Sequence, residues 1–175
     1  MNINIFFVLI TIGLFMIYIG FKPQYVTEQN FGDVPLFELD SFILHELNQE
    51  KLITIMKGSQ TKRYSDRYSV INISYTDNSK ELLANIRADK GLYRDKEDVV
   101  DLLGNVIYNR EDGLVFESEE AIYNKKTAIA KTQKDYIMYR DKDRLIGTSL
   151  VFDNANGKID SKNVVAKYQI KEREL

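Results

Sequence analysis

The stretches that decide the fold are IRADKGLYRDKED at residues 86–98, FESEEAIYNKKTA at 116–128 and LIGTSLVFDNANG at 145–157. In each copy an apolar segment closes with an aromatic residue, and a polar, turn-forming run follows at once. The aromatic residues of successive copies are 30 and 29 positions apart. This spacing suits two strands with their turns, so the pattern predicts an internal repeat of strand pairs.

The same pattern of an aromatic residue followed by a turn also recurs at shorter intervals. The aromatic residues are 18, 15, 15, 16 and 13 positions apart, which suits one strand and one short turn. They are Tyr75, Tyr93, Tyr108, Tyr123, Tyr139 and Phe152. We therefore expect an all-β domain that is a long antiparallel meander of repeated strand-turn units of about 15 residues.

Apolar and polar residues alternate between the turns. In residues 82–89 the even positions Leu82, Ala84, Ile86 and Ala88 fall on one side of a strand, and the odd positions Leu83, Asn85, Arg87 and Asp89 fall on the other. Only one face of such a sheet requires burial. A meander with one apolar face and no helices to cover it must curl, pair with a second sheet, or hold an apolar ligand against that face.

Two segments define the ends of the meander. Residues 41–52 fit either a helix or a strand, and we favour a strand over 42–46 with a turn at Asn48-Gln49. The last strand is predicted from Val164 to Ile170, close to the C-terminus, so little chain is left to cover its edge. An open edge can pair with a strand of another protein. The candidate edge residues are Val164, Ala166, Tyr168 and Ile170.

The N-terminal segment is apolar and uncharged over residues 5–21, IFFVLITIGLFMIYIGF. As a helix it would span roughly 26 Å, just enough to cross the hydrocarbon core of a bilayer. We expect a transmembrane anchor there, between a tail of residues 1–4 and a linker of residues 22–35, with a β domain over residues 36–175. A cleaved signal peptide is the alternative, although no small-x-small cleavage pattern follows the run. The candidate anchor residues are Phe6, Phe7, Leu9, Leu14, Phe15 and Tyr18.

The composition argues against most catalytic chemistry and against nucleic acid as a partner. The net charge of −2 provides no basic excess to neutralise a phosphate backbone. The chain has no cysteine and a single histidine, His45, and it carries no nucleophile elbow, zinc-binding helix or phosphate-binding loop. We therefore expect no enzyme activity, no cofactor and no metal site.

The charged pairs of the sequence have simpler interpretations than catalysis. Glu97-Asp98, Glu111-Asp112 and Glu119-Glu120 lie in or beside predicted turns, where solvated carboxylates keep loops soluble. Lys62-Arg63 and Lys125-Lys126 could meet a lipid phosphate, although a solvated hairpin tip is the expected place of the second pair.

The short N-terminal anchor, the proline-containing linker, LLGNVIY at Leu102 to Tyr108, and the similar segments Gly91 to Tyr93 and Ala121 to Tyr123 resemble the LptC family. LptC is the bitopic inner-membrane component of lipopolysaccharide export. The resemblance implies a twisted, open antiparallel β-jellyroll in the periplasm whose apolar interior carries lipid A acyl chains. It also implies transfer of lipopolysaccharide from an LptB/LptF/LptG-type ABC transporter to an LptA-like bridge protein that meets the C-terminal strand.

The alternation predicts which residues would line such an interior. Apolar burial is worth about 0.8 kcal/mol per methylene, so an apolar lining would hold acyl chains strongly. Two alternatives are that these residues form a dry core, and that the protein is a membrane-tethered scaffold that binds no lipid. The candidate lipid-binding residues are Ile53, Ile55, Ile71, Ile73, Ile86, Leu102, Val106, Phe116, Ile129 and Ile137.

Overall fold

The computed structural model describes residue 15 and residues 34–48, 52–79 and 81–169. The chain divides into two compact units, Met1–Asn30 and Phe31–Leu175. The predicted tail, anchor and most of the linker lie outside the described residues, apart from Phe15, which is helical and exposed. Within the described ranges, no helix has the length and hydropathy needed to cross a membrane.

The described part of the second unit is all-β and antiparallel, as the repeated strand-turn pattern predicts. One open sheet contains its twelve strands. They are β1 (Phe37–Leu47), β2 (Leu52–Arg63), β3 (Arg67–Asp77), β4 (Ala84–Arg94), β5 (Val99–Arg110), β6 (Val115–Asn124), β7 (Ile129–Thr132), β8 (Tyr136–Arg140), β9 (Asp143–Gly147), β10 (Ser149–Asp153), β11 (Lys158–Lys162) and β12 (Val165–Lys167). The strand expected over 42–46 is confirmed as part of the longer β1.

The sheet is a meander from β1 to β6 and forks after β6. One end of β6, Ile122 to Asn124, pairs with β7, and the sheet continues through β10 and β11, here called the β7 branch. The other end, Val115 to Ser118, pairs with β8, and the sheet continues through β9 and β12, here called the β8 branch. A single ten-residue strand therefore supports two separate groups of strands.

A line of left-handed residues crosses the long strands and is here called the crease. It contains Ser41 (φ 51°), Asn72 (φ 51°), Gly104 (φ 74°) and Asn105 (φ 47°). These residues lie where the cross-strand pairing of β1 to β6 skips or shifts register. A left-handed residue bends a strand and reverses which face the following side chains occupy. The alternation of side chains is opposite on the two sides of the crease in β1, β2, β3, β4 and β6, whereas in β5, where two successive residues are left-handed, it is the same on both sides.

Cross-strand partners share a face, so the pairing arranges the side chains in rows across the strands. We call the face that carries the buried residues the inner face. Beside the crease it has two central rows, which contain eleven of the twelve buried residues, Val99 being the exception. The Val70 row comprises Leu39, Thr61, Val70, Gly91, Leu102, Ala121, Thr132, Leu150 and Ser161. The Val106 row comprises Phe42, Gly58, Ile73, Ala88, Val106, Ser118, Tyr136 and Gly147.

The three copies of the sequence repeat end in the same type of turn. The residues before β5, β7 and β11 are left-handed, namely Asp98 (φ 60°), Ala128 (φ 56°) and Gly157 (φ 65°). Glycine adopts this conformation without strain, whereas the Cβ of an ordinary residue crowds the following carbonyl. Ala128 is therefore the one strained position among these three that carries no side-chain hydrogen-bonding group.

Ala128→Gly is expected to raise the free energy of unfolding by roughly 0.5–1 kcal/mol, because it removes the strained Cβ. Urea denaturation of the two proteins measures the difference. The matched control is Ala130→Gly, two residues further along in β7, where the backbone is extended. That substitution is expected to lower the stability by roughly 0.5–1 kcal/mol. A less stable Ala128→Gly variant would contradict the assignment of strain to this turn.

Candidate functional site

The inner face carries an apolar row on the far side of the Val106 row. This Phe116 row crosses nine strands, and at about 4.8 Å per strand it extends for roughly 38 Å. Every residue in it is apolar or aromatic, and none is buried. Tyr75 and Tyr108 are half-buried, and this partial loss of solvent is the largest cause that raises the pKa of their hydroxyls, so both stay neutral. The row comprises Leu44, Met56, Tyr75, Ile86, Tyr108, Phe116, Met138, Leu145 and Ala166.

A second flanking row, the Tyr93 row, lies beyond the Val70 row. Tyr68 and Tyr93 stack with their ring centroids 6.2 Å apart. The Arg63 guanidinium lies 3.8 Å from the Tyr68 centroid, and the Lys125 ammonium lies 4.4 Å from the Tyr93 centroid, so each ring of this stack has a cation over it. The row comprises Phe37, Arg63, Tyr68, Tyr93, Val100, Tyr123, Ala130, Phe152 and Ile159.

The central rows pack directly on each other across the crease. Ala88, Leu102 and Val106 form the buried cluster of the core. A Cβ added at Gly91 would lie 3.1 Å from Ile73 Cδ1, so side chains of the Val106 row reach over the backbone of the Val70 row. The floor of the inner face is thus filled by the protein itself. The two flanking rows remain as partly exposed apolar surface.

The structure places five of the ten candidate lipid-binding residues on the inner face. Ile86 and Phe116 belong to the exposed Phe116 row, whereas Ile73, Leu102 and Val106 belong to the packed central rows. Because only the flanking rows are open to a ligand, Ile86 and Phe116 are the candidates best placed for contact. Contact of any of them with lipid remains a prediction.

The other five candidates lie on the opposite, outer face, which differs from the interior position expected for them. Ile71 and Ile73 are two residues apart, but the left-handed Asn72 between them reverses the alternation, and Ile71 pairs with Gln60 and Lys90. In β2, β7 and β8, which carry the other four candidates, apolar residues lie on both faces. The residue next to each candidate in the strand is the one on the inner face. The five outer residues are Ile53, Ile55, Ile71, Ile129 and Ile137.

The fork is held by buried polar side chains that were not predicted from the sequence. The Thr132 hydroxyl accepts a hydrogen bond from the Lys134 amide at 3.0 Å and lies 3.1 Å from the Ser118 hydroxyl, which donates to the Asp135 carbonyl at 2.9 Å. Every one of these buried oxygens therefore has a partner. Ser118 and Thr132 lie in strands in which polar and apolar residues alternate, and they look like any other polar residue there. No local pattern in the sequence therefore reveals them.

The sheet has unpaired edges at both ends. Among the described residues, β1 pairs only with β2, and β11 and β12 each pair with a single strand. The strand expected from Val164 to Ile170 is shorter, because β12 covers Val165–Lys167. Tyr168 lies beyond β12 and is 70% exposed. Val164 and Ala166 follow the register of the inner face, and Ile170 lies outside the described residues.

Exposed apolar side chains concentrate at these edges. On the N-terminal side they lie on or just before β1, and on the C-terminal side they lie on or next to β11 and β12. Asn156-Gly157 predicts a tight hairpin at this point of the chain, and the structure has β10 and β11 paired across it. The exposed residues on the N-terminal side are Val34, Leu36, Phe37, Leu39, Ile43, Leu44 and Leu47.

The carboxylate pairs of the sequence serve the fold. Asp98 accepts a hydrogen bond from the Tyr93 hydroxyl at 2.8 Å, and Glu97 pairs with Arg94 at 2.7 Å. Hydrogen bonds from Arg110 are the largest cause that holds the pKa of Asp112 well below its usual range. Glu119 and Glu120 are neighbours in β6, so they point to opposite faces.

No metal-binding group was found in the part of the chain that the structure describes. His45 is exposed on β1, opposite Ile55. One open antiparallel sheet, with a creased apolar inner face and two free edges, defines the protein as an open β-jellyroll.

The family model described as "Lipopolysaccharide-assembly, LptC-related" matches residues 8–169, nearly the whole chain. The chain therefore belongs to the LptC family, which gives it a role in lipopolysaccharide transport. A comparison with curated proteins found no match.

Proposed function

We propose that the inner face binds the acyl chains of lipopolysaccharide and that the protein passes this lipid from an inner-membrane ABC transporter to an LptA-like periplasmic protein. The Phe116 row carries the proposal, because it offers nine consecutive apolar or aromatic residues and none of them is buried. The described strands form a single sheet, so no second sheet among the described residues of Phe31–Leu175 packs on this row.

The energetics favour transfer from one apolar face to another. Each acyl methylene buried against the flanking rows contributes about 0.8 kcal/mol, so several chains together would be held too tightly to cross water. Direct contact between the inner faces of successive proteins avoids that exposure. The energy for extraction must come from the transporter, because the sequence carries no phosphate-binding loop.

The free edges offer a way to align such faces. A strand of another protein that adds to an open edge continues the hydrogen-bonded ladder, and its cross-strand residues then extend the rows of the sheet. On this proposal β1 meets the transporter and the C-terminal edge meets the LptA-like protein. The anchor at residues 5–21 would hold the β domain at the periplasmic side of the inner membrane.

Photo-crosslinking in cells tests the lipid contact. A photoreactive amino acid at Phe116 or Met138 is expected to capture lipopolysaccharide, because both side chains belong to the exposed Phe116 row. The matched control is Ile137, the neighbour of Met138 in β8, which lies on the outer face. Adducts are measured by immunoblotting for lipopolysaccharide.

Two outcomes contradict this proposal in different ways. Equal adducts at Ile137 and Met138 would show that the inner face has no preference for the lipid. Silence at every inner-face position in cells that export lipopolysaccharide would favour a membrane-tethered scaffold that binds no lipid.

A further inference from the structure

The outer face has a polar depression on β2, β3 and β4, with a volume of about 200 Å³. Cross-strand pairing explains its composition, because Lys62 lies opposite Ser69 and Lys90 lies opposite Ile71. The two lysines thus extend from the strands on either side of β3. The depression is lined by Gln60, Lys62, Tyr64, Ser69, Ile71 and Lys90, and we call it the Lys90 depression.

The two lysines differ in their partners. Lys62 Nζ lies 3.1 Å from Glu38 Oε1, and the Gln60 amide nitrogen donates to Asp40 Oδ1 at 3.3 Å. Lys90 is exposed and forms no ion pair with any of the described residues. The β1 side of the depression is therefore compensated by carboxylates, whereas the β4 side presents an uncompensated ammonium group.

We propose that the Lys90 depression binds a phosphate group. Phosphate oxygens are strong acceptors, and this depression offers two ammonium groups, the Ser69 and Tyr64 hydroxyls and the Gln60 amide as donors. A volume of about 200 Å³ admits a phosphate with some of its water, since one water occupies about 30 Å³. The site lies on the face opposite to the proposed lipid-binding rows, so it does not depend on them.

The charges around the site determine how each substitution acts. Lys90→Met removes the uncompensated ammonium and is expected to weaken phosphate binding by about tenfold, as for the loss of one charge-assisted hydrogen bond. Glu38→Gln frees Lys62 from its ion pair and is expected to tighten binding by about threefold. Lys57→Met is the control, because Lys57 lies on the same face of β2 outside the depression.

The test is an NMR titration of the full-length chain in maltoside micelles, which contain no phosphate. Inorganic phosphate is expected to shift the amide signals of Ser69 and Lys90, and sodium chloride at equal ionic strength is expected not to. The affinity should fall in Lys90→Met, rise in Glu38→Gln and stay unchanged in Lys57→Met.

A second arm identifies the source of the phosphate. In phosphatidylglycerol nanodiscs without added phosphate, shifts at Ser69 and Lys90 would identify a lipid headgroup as the ligand, whereas shifts on addition of inorganic phosphate alone would identify the free anion. Either result supports a phosphate site. The absence of shifts in both arms, or an unchanged affinity in Lys90→Met, would overturn it.

Discussion

Truncation of Tyr136 to alanine is expected to lower the free energy of unfolding by about 3–5 kcal/mol. For a chain of this size the melting temperature should fall by roughly 10 °C. Tyr136 is 1% exposed and is the largest fully buried side chain among the described residues, so its loss leaves a cavity. Thermal and urea unfolding followed by circular dichroism measure the effect.

The position of Tyr136 explains why the effect should be large. Its ring stacks on Phe116 of β6 with centroids 5.8 Å apart, and its hydroxyl lies 2.7 Å from the Ser161 hydroxyl of β11. Ser161 already donates its one hydrogen to the Ser149 carbonyl at 2.6 Å, so Tyr136 must donate to Ser161. One side chain of the β8 branch thereby holds the β7 branch.

One variant separates the hydroxyl of Tyr136 from its ring, and a second variant, at another tyrosine of β8, is the control. Tyr136→Phe keeps the packing and loses one hydrogen bond, so we expect it to cost about 1 kcal/mol. Tyr139→Ala, in the same strand but on the outer face, is expected to cost clearly less than Tyr136→Ala. Equal losses in the two alanine variants would contradict the role assigned to Tyr136 at the fork.

The repeat was the most informative feature of the sequence. The aromatic residues that close its three copies, Tyr93, Tyr123 and Phe152, all lie in one cross-strand row. Each of these residues is the second-last residue of its strand, β4, β6 or β10, and the same turn follows, so equivalent positions come into register. The spacing predicted the fold class correctly, whereas the shared row of these aromatic residues was not predicted.

The crease limits what alternation can predict. Period-two reasoning correctly grouped Ala84, Ile86 and Ala88, because they lie on one side of the crease. It failed for Ile71, because the left-handed residue Asn72 reverses the face on which the following side chains lie. An asparagine within a strand is only a weak sequence signal of a left-handed residue. Gly104 with Asn105, inside an otherwise apolar strand, is a clearer signal of such a bend.

The fork could not be predicted from local patterns. β6 and β7 form a local hairpin, but β8 also pairs with β6 and β10 pairs back with β7, and these two contacts join residues 18 to 24 positions apart. Ile129 and Ile137 illustrate the consequence, because both faces of these short strands carry apolar residues. Their orientation is set only by the register with β6.

Removal of residues 164–175 is expected to reduce the affinity for an LptA-like protein by at least about 100-fold, if that protein adds a strand at β12. The deletion removes the edge ladder and the exposed side chains of Val164, Val165 and Tyr168. Burial of each such side chain is worth about 1.5–3 kcal/mol. Surface plasmon resonance against the purified partner gives the affinity.

Single prolines locate the contact more sharply than the deletion. Tyr168→Pro acts beyond β12 and is expected to weaken binding less than a proline within it. Successive residues of an antiparallel strand direct their N–H groups to opposite sides, so Val165→Pro and Ala166→Pro remove different bonds. The proline that removes a hydrogen bond to β9 should lower the free energy of unfolding. The proline that removes a hydrogen bond on the open side should lower the affinity for the partner and leave the stability unchanged. Unchanged affinity in both prolines and in the deletion would show that the partner does not pair at this edge.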